Sequence, residues 1–467
     1  MAAHPTDACF DEGRFIPAYP YRLQSESPGF FEQLAIIHAA TRNPLETLSE
    51  RAFVEPVVQS NFMGLHLSQI ADPGMIRHCF VDNRQNYRMS ALRQAVFKPV
   101  TREGLIPAEG EAWKHARKTL SPIFTPRNIA FFADGMKATI DRVIPDFVRD
   151  GETLEMSEIT TSLTYLVLSD ALFTGGISGA RGEVLKLIAG VLNTMGQPHF
   201  LDLVGAPRFL PRLGRGKGMA KARQLRALIR EIAVERLAEK ARGGTLPQDF
   251  LTLMIGAEGE EAPFTLDEIE DQMVTFIGAG HETTAQALTW MFYLLSQDKA
   301  ALARAEAEVD ALDVTRPPVE WADALPFTIA CFREALRLYP PAAAILRQAN
   351  EADRFGDIDI PKDGAAMVHL YVLHRHEKLW DHPNAFMPER FLGEAGEKID
   401  RFQYLPFGVG HRVCIGERFA MVEAGILIAS LMRKVRFDYA GEAAPLPTIR
   451  LSMQPEDGMK MRVAARS

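Results

Sequence analysis

The 467-residue chain has only four cysteines, and their scarcity excludes a good deal. Cys9, Cys79, Cys331 and Cys414 lie far apart, and none has the C-x-x-C spacing of a metal or redox site. Neither a disulfide framework nor a zinc cluster is expected. So few, scattered thiols fit a reducing, cytoplasmic home. Positive charge is not in excess either: the net charge of −8 argues against nucleic acid as the main partner. The N-terminus, "MAAHPTDACFDEGRF", has no basic segment followed by an apolar one, so no secretory signal is expected. No uninterrupted apolar run approaches the roughly 18–20 residues of a membrane span. The most apolar long segment, Met273 to Leu295, contains "GHETT" and would be costly in lipid, so no transmembrane anchor is expected. No linker-like stretch, charge block or repeat divides the chain, which predicts one large domain over residues 1–467.

An apolar share of 47% with 24% charged residues is that of an ordinary globular chain with a sizeable core. Helical periodicity dominates, near 30–50, 109–121, 129–149, 157–172, 183–195, 218–242, 265–296, 299–311, 326–338 and 416–434. Strand-like stretches cluster at 51–82, 343–372 and 447–464. The expected fold is mainly α, a single large helical domain with a small β-rich region.

The pattern from Thr265 to Leu295 is long enough to cross a whole domain, and Thr265 with Glu268 has capping-box spacing. Gly278 and Gly280 interrupt it, each costing about 1 kcal/mol relative to alanine inside a helix. His281, Glu282, Thr283 and Thr284 follow, four polar residues within an apolar stretch. They form either a polar stripe whose threonines bond back to the helix, or a local opening that sets an acid and an alcohol beside a buried site.

The stretch "FGVGHRVCIG", Phe407 to Gly416, holds one cysteine in a glycine-rich loop. Taken alone, Cys414 reads as a packed structural thiol or as a metal ligand. The loop together with "AGHETT" (279–284), "EALR" (334–337), "PERF" (388–391) and "WKHAR" (113–117) resembles the cytochrome P-450 superfamily of haem-thiolate monooxygenases. The motifs come in the family's order and cover most of the chain. Glu239/Arg242 and Glu351/Arg354 share the ExxR spacing but lie outside that context and read as solvated pairs.

The resemblance implies the cytochrome P-450 fold and a haem b cofactor (iron protoporphyrin IX), with Cys414 as its metal ligand. Phe407, Gly408 and Gly416 would shape the ligand loop, and Gly408, Gly410 and Gly416 would take backbone angles closed to other residues. Trp113, Arg117, Arg347 and Arg412 would hold the propionates. Ala279 and Gly280 would face the haem, with Gly280 leaving room for O2. Glu282 and Thr283 would be the catalytic pair that moves protons. Glu334, Arg337 and Arg390 would form a buried structural triad. Ile277, Ala342, Ala343, Ala344 and Leu451 would line the substrate pocket.

The implied reaction inserts one oxygen atom from O2 into an apolar substrate such as a fatty acid, terpenoid or carotenoid-like compound. Electrons would come from NAD(P)H through a ferredoxin or flavodoxin with its reductase, because the stretch after Cys414 is too short for a fused redox domain. Lys114 and Lys118 would face that partner. His281 reads as structural and His411 as a surface residue. Two rival readings are a peroxide-driven haem-thiolate enzyme and a non-catalytic haem sensor or carrier.

Overall fold

The fold is that of a computed structural model, which describes residues 7–20, 39, 42–62, 65–174, 187–188, 190–191, 215–256 and 263–466. Most of the helical pattern at 183–195, and most of the one at 30–50, lie outside those residues. Of the latter pattern, only short 3-10 turns at Pro44–Thr47 and Glu50–Phe53 border the described part.

The body is helical. Its long helices are Gly110–Leu120, Pro126–Phe147, Met156–Leu172, Arg215–Ala241, Lys299–Asp310, Pro326–Leu338 and Glu417–Met432, with an interrupted central pair. Among the described residues, no helix is long and apolar enough to cross a membrane. Helix Ala91–Thr101 gave no periodic signal because Pro99 lies inside it and charges punctuate it. It starts on Ser90, whose hydroxyl accepts the Arg93 N–H at 3.2 Å.

The β-rich flank is a five-stranded sheet in the order Val57–Phe62, Leu65–Ile70, Ala365–His369, Ala344–Ala349, Tyr87–Met89. The expected strand stretch 51–82 ends early: after Ile70 the chain turns helical at Pro73–Arg77, capped by Asp72, whose carboxylate accepts the Met75 N–H at 2.6 Å. A single proline at the first helical position was too little signal against the preceding alternation. The strand Ala344–Ala349 alternates, with Ile345, Arg347 and Ala349 buried and the other three half-buried. Arg347 is therefore on the buried face.

The central helix is two helices, Leu266–Gly280 and Glu282–Gln297, broken at His281. Its start is a complete capping box between Thr265 and Glu268. At the break, side chains serve the helix carbonyls. His281 Nδ1 donates to the Ile277 carbonyl at 2.7 Å, and Thr283 Oγ1 donates to the Ala279 carbonyl at 3.0 Å. The Thr164 hydroxyl, from helix Met156–Leu172, donates to the His281 carbonyl at 3.0 Å. Each bond satisfies a polar group that a buried break would otherwise leave at a cost of about 1–3 kcal/mol. His281 is buried, and burial pushes its imidazole down to about 4, so it stays neutral at pH 7. The two sequence readings of this segment meet here: Thr283 bonds back to the helix, and the helix does open.

Candidate active site

The cysteine loop is fixed by its own backbone. The Cys414 N–H donates to the Phe407 carbonyl at 2.8 Å, closing the loop. Gly408 and Gly410 have φ of +84° and +69°, which L side chains rarely adopt, and a Cβ at 410 would lie 2.3 Å from the Phe80 carbonyl oxygen. Gly416 differs from the expectation: its φ is −92°, open to any residue, and it caps helix Glu417–Met432, which starts one residue later than the sequence pattern. What matters at 416 is its backbone N–H, which bonds the sulfur and stabilises the thiolate.

Cys414 is solvent-accessible, yet burial raises its thiol pKa more than the Gly416 bond and nearby Arg117 lower it. Both hold for a thiol that opens on an interior space deep in the protein. Cys79 and Cys331, by contrast, are fully buried, and burial raises both thiols, Cys79 to about 11.

Beside this loop stands a crowd of cations. Arg117 Nη1 donates to the Val413 carbonyl at 2.9 Å. The Arg412 guanidinium lies over the Trp113 ring at 4.4 Å, and His411 meets that ring edge-on at 5.1 Å. Arg347 is 6% exposed, and burial with nearby Arg93 and Arg412 pushes it down to about 9. Arg412 is pushed down to about 10 by burial, with Arg93 and Arg117 adding to the shift against Glu109.

Against these guanidiniums stands the Glu109 carboxylate, 3.5 Å from Arg412. Arg412 Nη1 and Arg93 Nε are buried without a hydrogen-bond partner among the described residues. Such a cluster calls for added anionic oxygens, and the two propionates of a haem are such groups. Arg93 was missed in the sequence because a lone arginine early in a helix carries no spacing signal. His411 differs from the surface residue expected: it is half-buried, and burial with the four neighbouring arginines holds it near 4. Lys114 lies on the same helix but pairs with Glu111 at 2.6 Å.

Behind the loop, Glu334, Arg337 and Arg390 meet. Arg337 uses all five donors: Glu334 Oε2 and Oε1 at 2.6 and 2.7 Å, and the carbonyls of His374, Pro383 and Ala385 at 2.7, 2.7 and 2.9 Å. Arg390 Nε and the Met387 N–H both reach Glu334 Oε1, at 3.1 and 2.9 Å. The indole of Trp380 lies under both guanidiniums, at 5.1 and 5.6 Å. The buried ring of His374 accepts the Leu405 N–H at 2.9 Å, two residues before Phe407. His374, unnoticed in the sequence, thus links the ion triad to the cysteine loop. Burial holds it near 3, which keeps the accepting nitrogen unprotonated.

On the central helix, Glu282 accepts a bond from Ser452 Oγ at 2.6 Å, and burial raises its carboxyl pKa. Thr283 is half-buried. Gly280 is where helix Met156–Leu172 passes closest: a Cβ there would lie 2.9 Å from Leu168 Cδ2. A side chain at 280 would therefore have to displace the end of Leu168. Ala279, Ala343, Ala344 and Leu451 are half-buried and Ala342 is exposed. Ile277 is 3% exposed and belongs to the main core cluster. The segments around Ala342 and Leu451 are joined, since the Met453 N–H donates to the Pro341 carbonyl at 3.0 Å.

Comparison with known proteins adds the family. The sequence profile of cytochrome P450, whose members bind haem and use O2, matches residues 29–462. Similar proteins include cyclooctat-9-en-7-ol 5-monooxygenase of Streptomyces melanosporofaciens, 28% identical and covering 88% of each chain. Cyclooctatin synthase of the same organism is 30% identical over 77% of each chain. Protein LUTEIN DEFICIENT 5, chloroplastic, of Arabidopsis thaliana is 26% identical over 85% of this chain and 70% of its own. In fold, the chain resembles the cytochrome P450DA heme domain (TM-score 0.76, 24% identity, 88% of this chain and 89% of that one). It also resembles retinoic acid-bound cyanobacterial CYP120A1 (TM-score 0.75, 21% identity, 88% and 92%). With the mainly helical fold and the profile matched over most of its length, the chain belongs to the cytochrome P450 family and is a cytochrome P450 monooxygenase.

Proposed function

We propose that this chain, as one domain over residues 1–467, inserts one oxygen atom from O2 into an apolar organic molecule. Electrons come from NAD(P)H through a separate ferredoxin or flavodoxin and its reductase. One observation carries the residue assignment: an accessible thiol, deep in the protein, stands beside guanidiniums with buried, unpartnered N–H groups. Haem, when bound, supplies the activation of O2 by a thiolate-ligated iron.

The chain's own residues do the rest. Cys414 is the iron ligand, and the Gly416 N–H and Arg117 hold its negative charge. Arg93, Trp113, Arg117, Arg347 and Arg412 bind the propionates, the arginines through their forked N–H groups and Trp113 through its indole N–H. Phe407, packed on the main core, keeps water from the sulfur. Glu282 and Thr283 carry protons inward from solvent. Ala279, Ala342, Ala343, Ala344 and Leu451 border the substrate, small side chains that leave room for a long or bulky apolar molecule. A relative named for cyclooctat-9-en-7-ol supports the terpenoid-like part of the fatty-acid, terpenoid and carotenoid-like range.

The test is a panel of lauric acid, farnesol and retinoic acid, scored by the spin-state shift of the haem absorption and then by product formation. With a generic ferredoxin, its reductase and NADPH, the best-bound compound is expected to yield product at the expense of O2. Equal product from hydrogen peroxide alone, with none from the donor chain, contradicts the oxygenase reading and favours the peroxide-driven one.

A further inference from the structure

Ser452 was not a candidate in the sequence, where it is an ordinary serine in a C-terminal turn between strands Pro447–Ile449 and Met453–Pro455. In the fold it is 2% exposed, and its hydroxyl donates to Glu282 Oε1 at 2.6 Å, across 170 residues of chain. The turn cannot easily drift. Asn43 Nδ2 donates to the Pro447 carbonyl at 2.9 Å on one side, and the Met453 N–H is fixed to the Pro341 carbonyl at 3.0 Å on the other. Glu282 is the first residue of helix Glu282–Gln297, directly after the His281 break. One hydrogen bond from a clamped turn therefore fixes where this carboxylate points.

We propose that Ser452 is a positioning residue for Glu282: its hydroxyl holds the carboxylate at the substrate-side turn. The proposal rests on the reading of Glu282 as part of the proton supply. Burial alone favours the neutral acid, and the serine hydroxyl opposes that shift. Among the described residues, the groups shown around the break include no cation bonded to Glu282. His281 is buried and neutral, and Tyr165 of helix Met156–Leu172 faces it ring to ring at 5.9 Å. Glu423 is buried on helix Glu417–Met432 near Thr284, and burial raises its carboxyl pKa. Arg450 on the turn itself is exposed. The Ser452 hydroxyl is thus the one group among the described residues that the structure shows bonded to this carboxylate.

The same bond ties proton supply to the pocket. Leu451, next in the chain to Ser452, is one of the residues proposed to border the substrate. An acid anchored on that turn stays at a fixed position relative to whatever lies there.

The experiment uses the haem-loaded protein and two readouts. In infrared titration, the carboxyl C=O band that disappears in Glu282→Gln reports the protonation of Glu282 directly. In turnover with the best-bound panel compound, the acid limb of the pH profile reports the same group through catalysis. Ser452→Ala is expected to move both upward by about one pH unit, roughly a tenfold change in the ionised fraction at fixed pH. Ser452→Thr, which keeps the hydroxyl, is expected to restore both, with parental haem content in all variants. Parental titration and acid limb in Ser452→Ala, or failure of Ser452→Thr to restore them, overturns the proposal. If Glu282→Gln converts cofactor to product as well as the parent, the proton-supply reading fails instead. The infrared titration still decides whether Ser452 sets the state of Glu282.

Discussion

Glu334→Ala is expected to yield little or no haem-loaded, folded protein. The triad is almost wholly dry: Glu334 and Arg337 are 0% exposed and Arg390 is 8%. Glu334 pairs with both arginines and also accepts the Met387 N–H. Without it, two guanidiniums are buried with backbone carbonyls as their polar partners. Breaking a buried pair by removing one partner costs about 3–5 kcal/mol, set against a total stability of about 5–15 kcal/mol. The damage would also travel, because Arg337 fixes the His374 carbonyl while the His374 ring holds Leu405 at the entrance to the cysteine loop. Haem content per folded chain and the thermal midpoint are the measurements. Parental values for both in Glu334→Ala would remove the triad from the account of how the loop is held.

Thr283→Ala is expected to leave folding and haem content intact and to divert electrons. The threonine hydroxyl gives its single proton to the Ala279 carbonyl. Its oxygen then presents lone pairs, so it can accept a proton-bearing partner next to Glu282 without leaving its place. Alanine removes that acceptor and fills no space. A loss of about 1.4 kcal/mol in the productive barrier is enough to shift branching tenfold. The expected result is product per NADPH reduced by about that factor, with hydrogen peroxide released in its place and with Thr283→Ser close to the parent. Undiminished product per NADPH in Thr283→Ala would show that the hydroxyl is dispensable.

Much of this site was legible because its chemistry depends on identity over short spans. The loop "FGVGHRVCIG" needs its glycines where φ is positive, and the structure has them so at 408 and 410. Gly278 and Gly280 marked the weak point of the central helix, and the break falls one residue later. What the sequence hid depends on distant contacts. Arg93, His374 and Ser452 each draw their meaning from a partner far along the chain: Arg347 and Arg412, Leu405, and Glu282. Nothing in local spacing distinguishes them from a solvated arginine, a core histidine or a turn serine. Short strands such as Tyr87–Met89 and Thr153–Glu155 escaped for a related reason: three residues are too few to show alternation.

The central claim is that Cys414, and no other thiol of this chain, is the ligand of a haem. It is tested most directly by the absorption spectrum of the reduced protein under carbon monoxide. The parent is expected to show the red-shifted Soret band of a thiolate-ligated haem. Cys9→Ala, Cys79→Ala and Cys331→Ala should retain that band, and Cys414→His should lose it. A parent without the band, or a Cys414→His protein that keeps it, would contradict the claim.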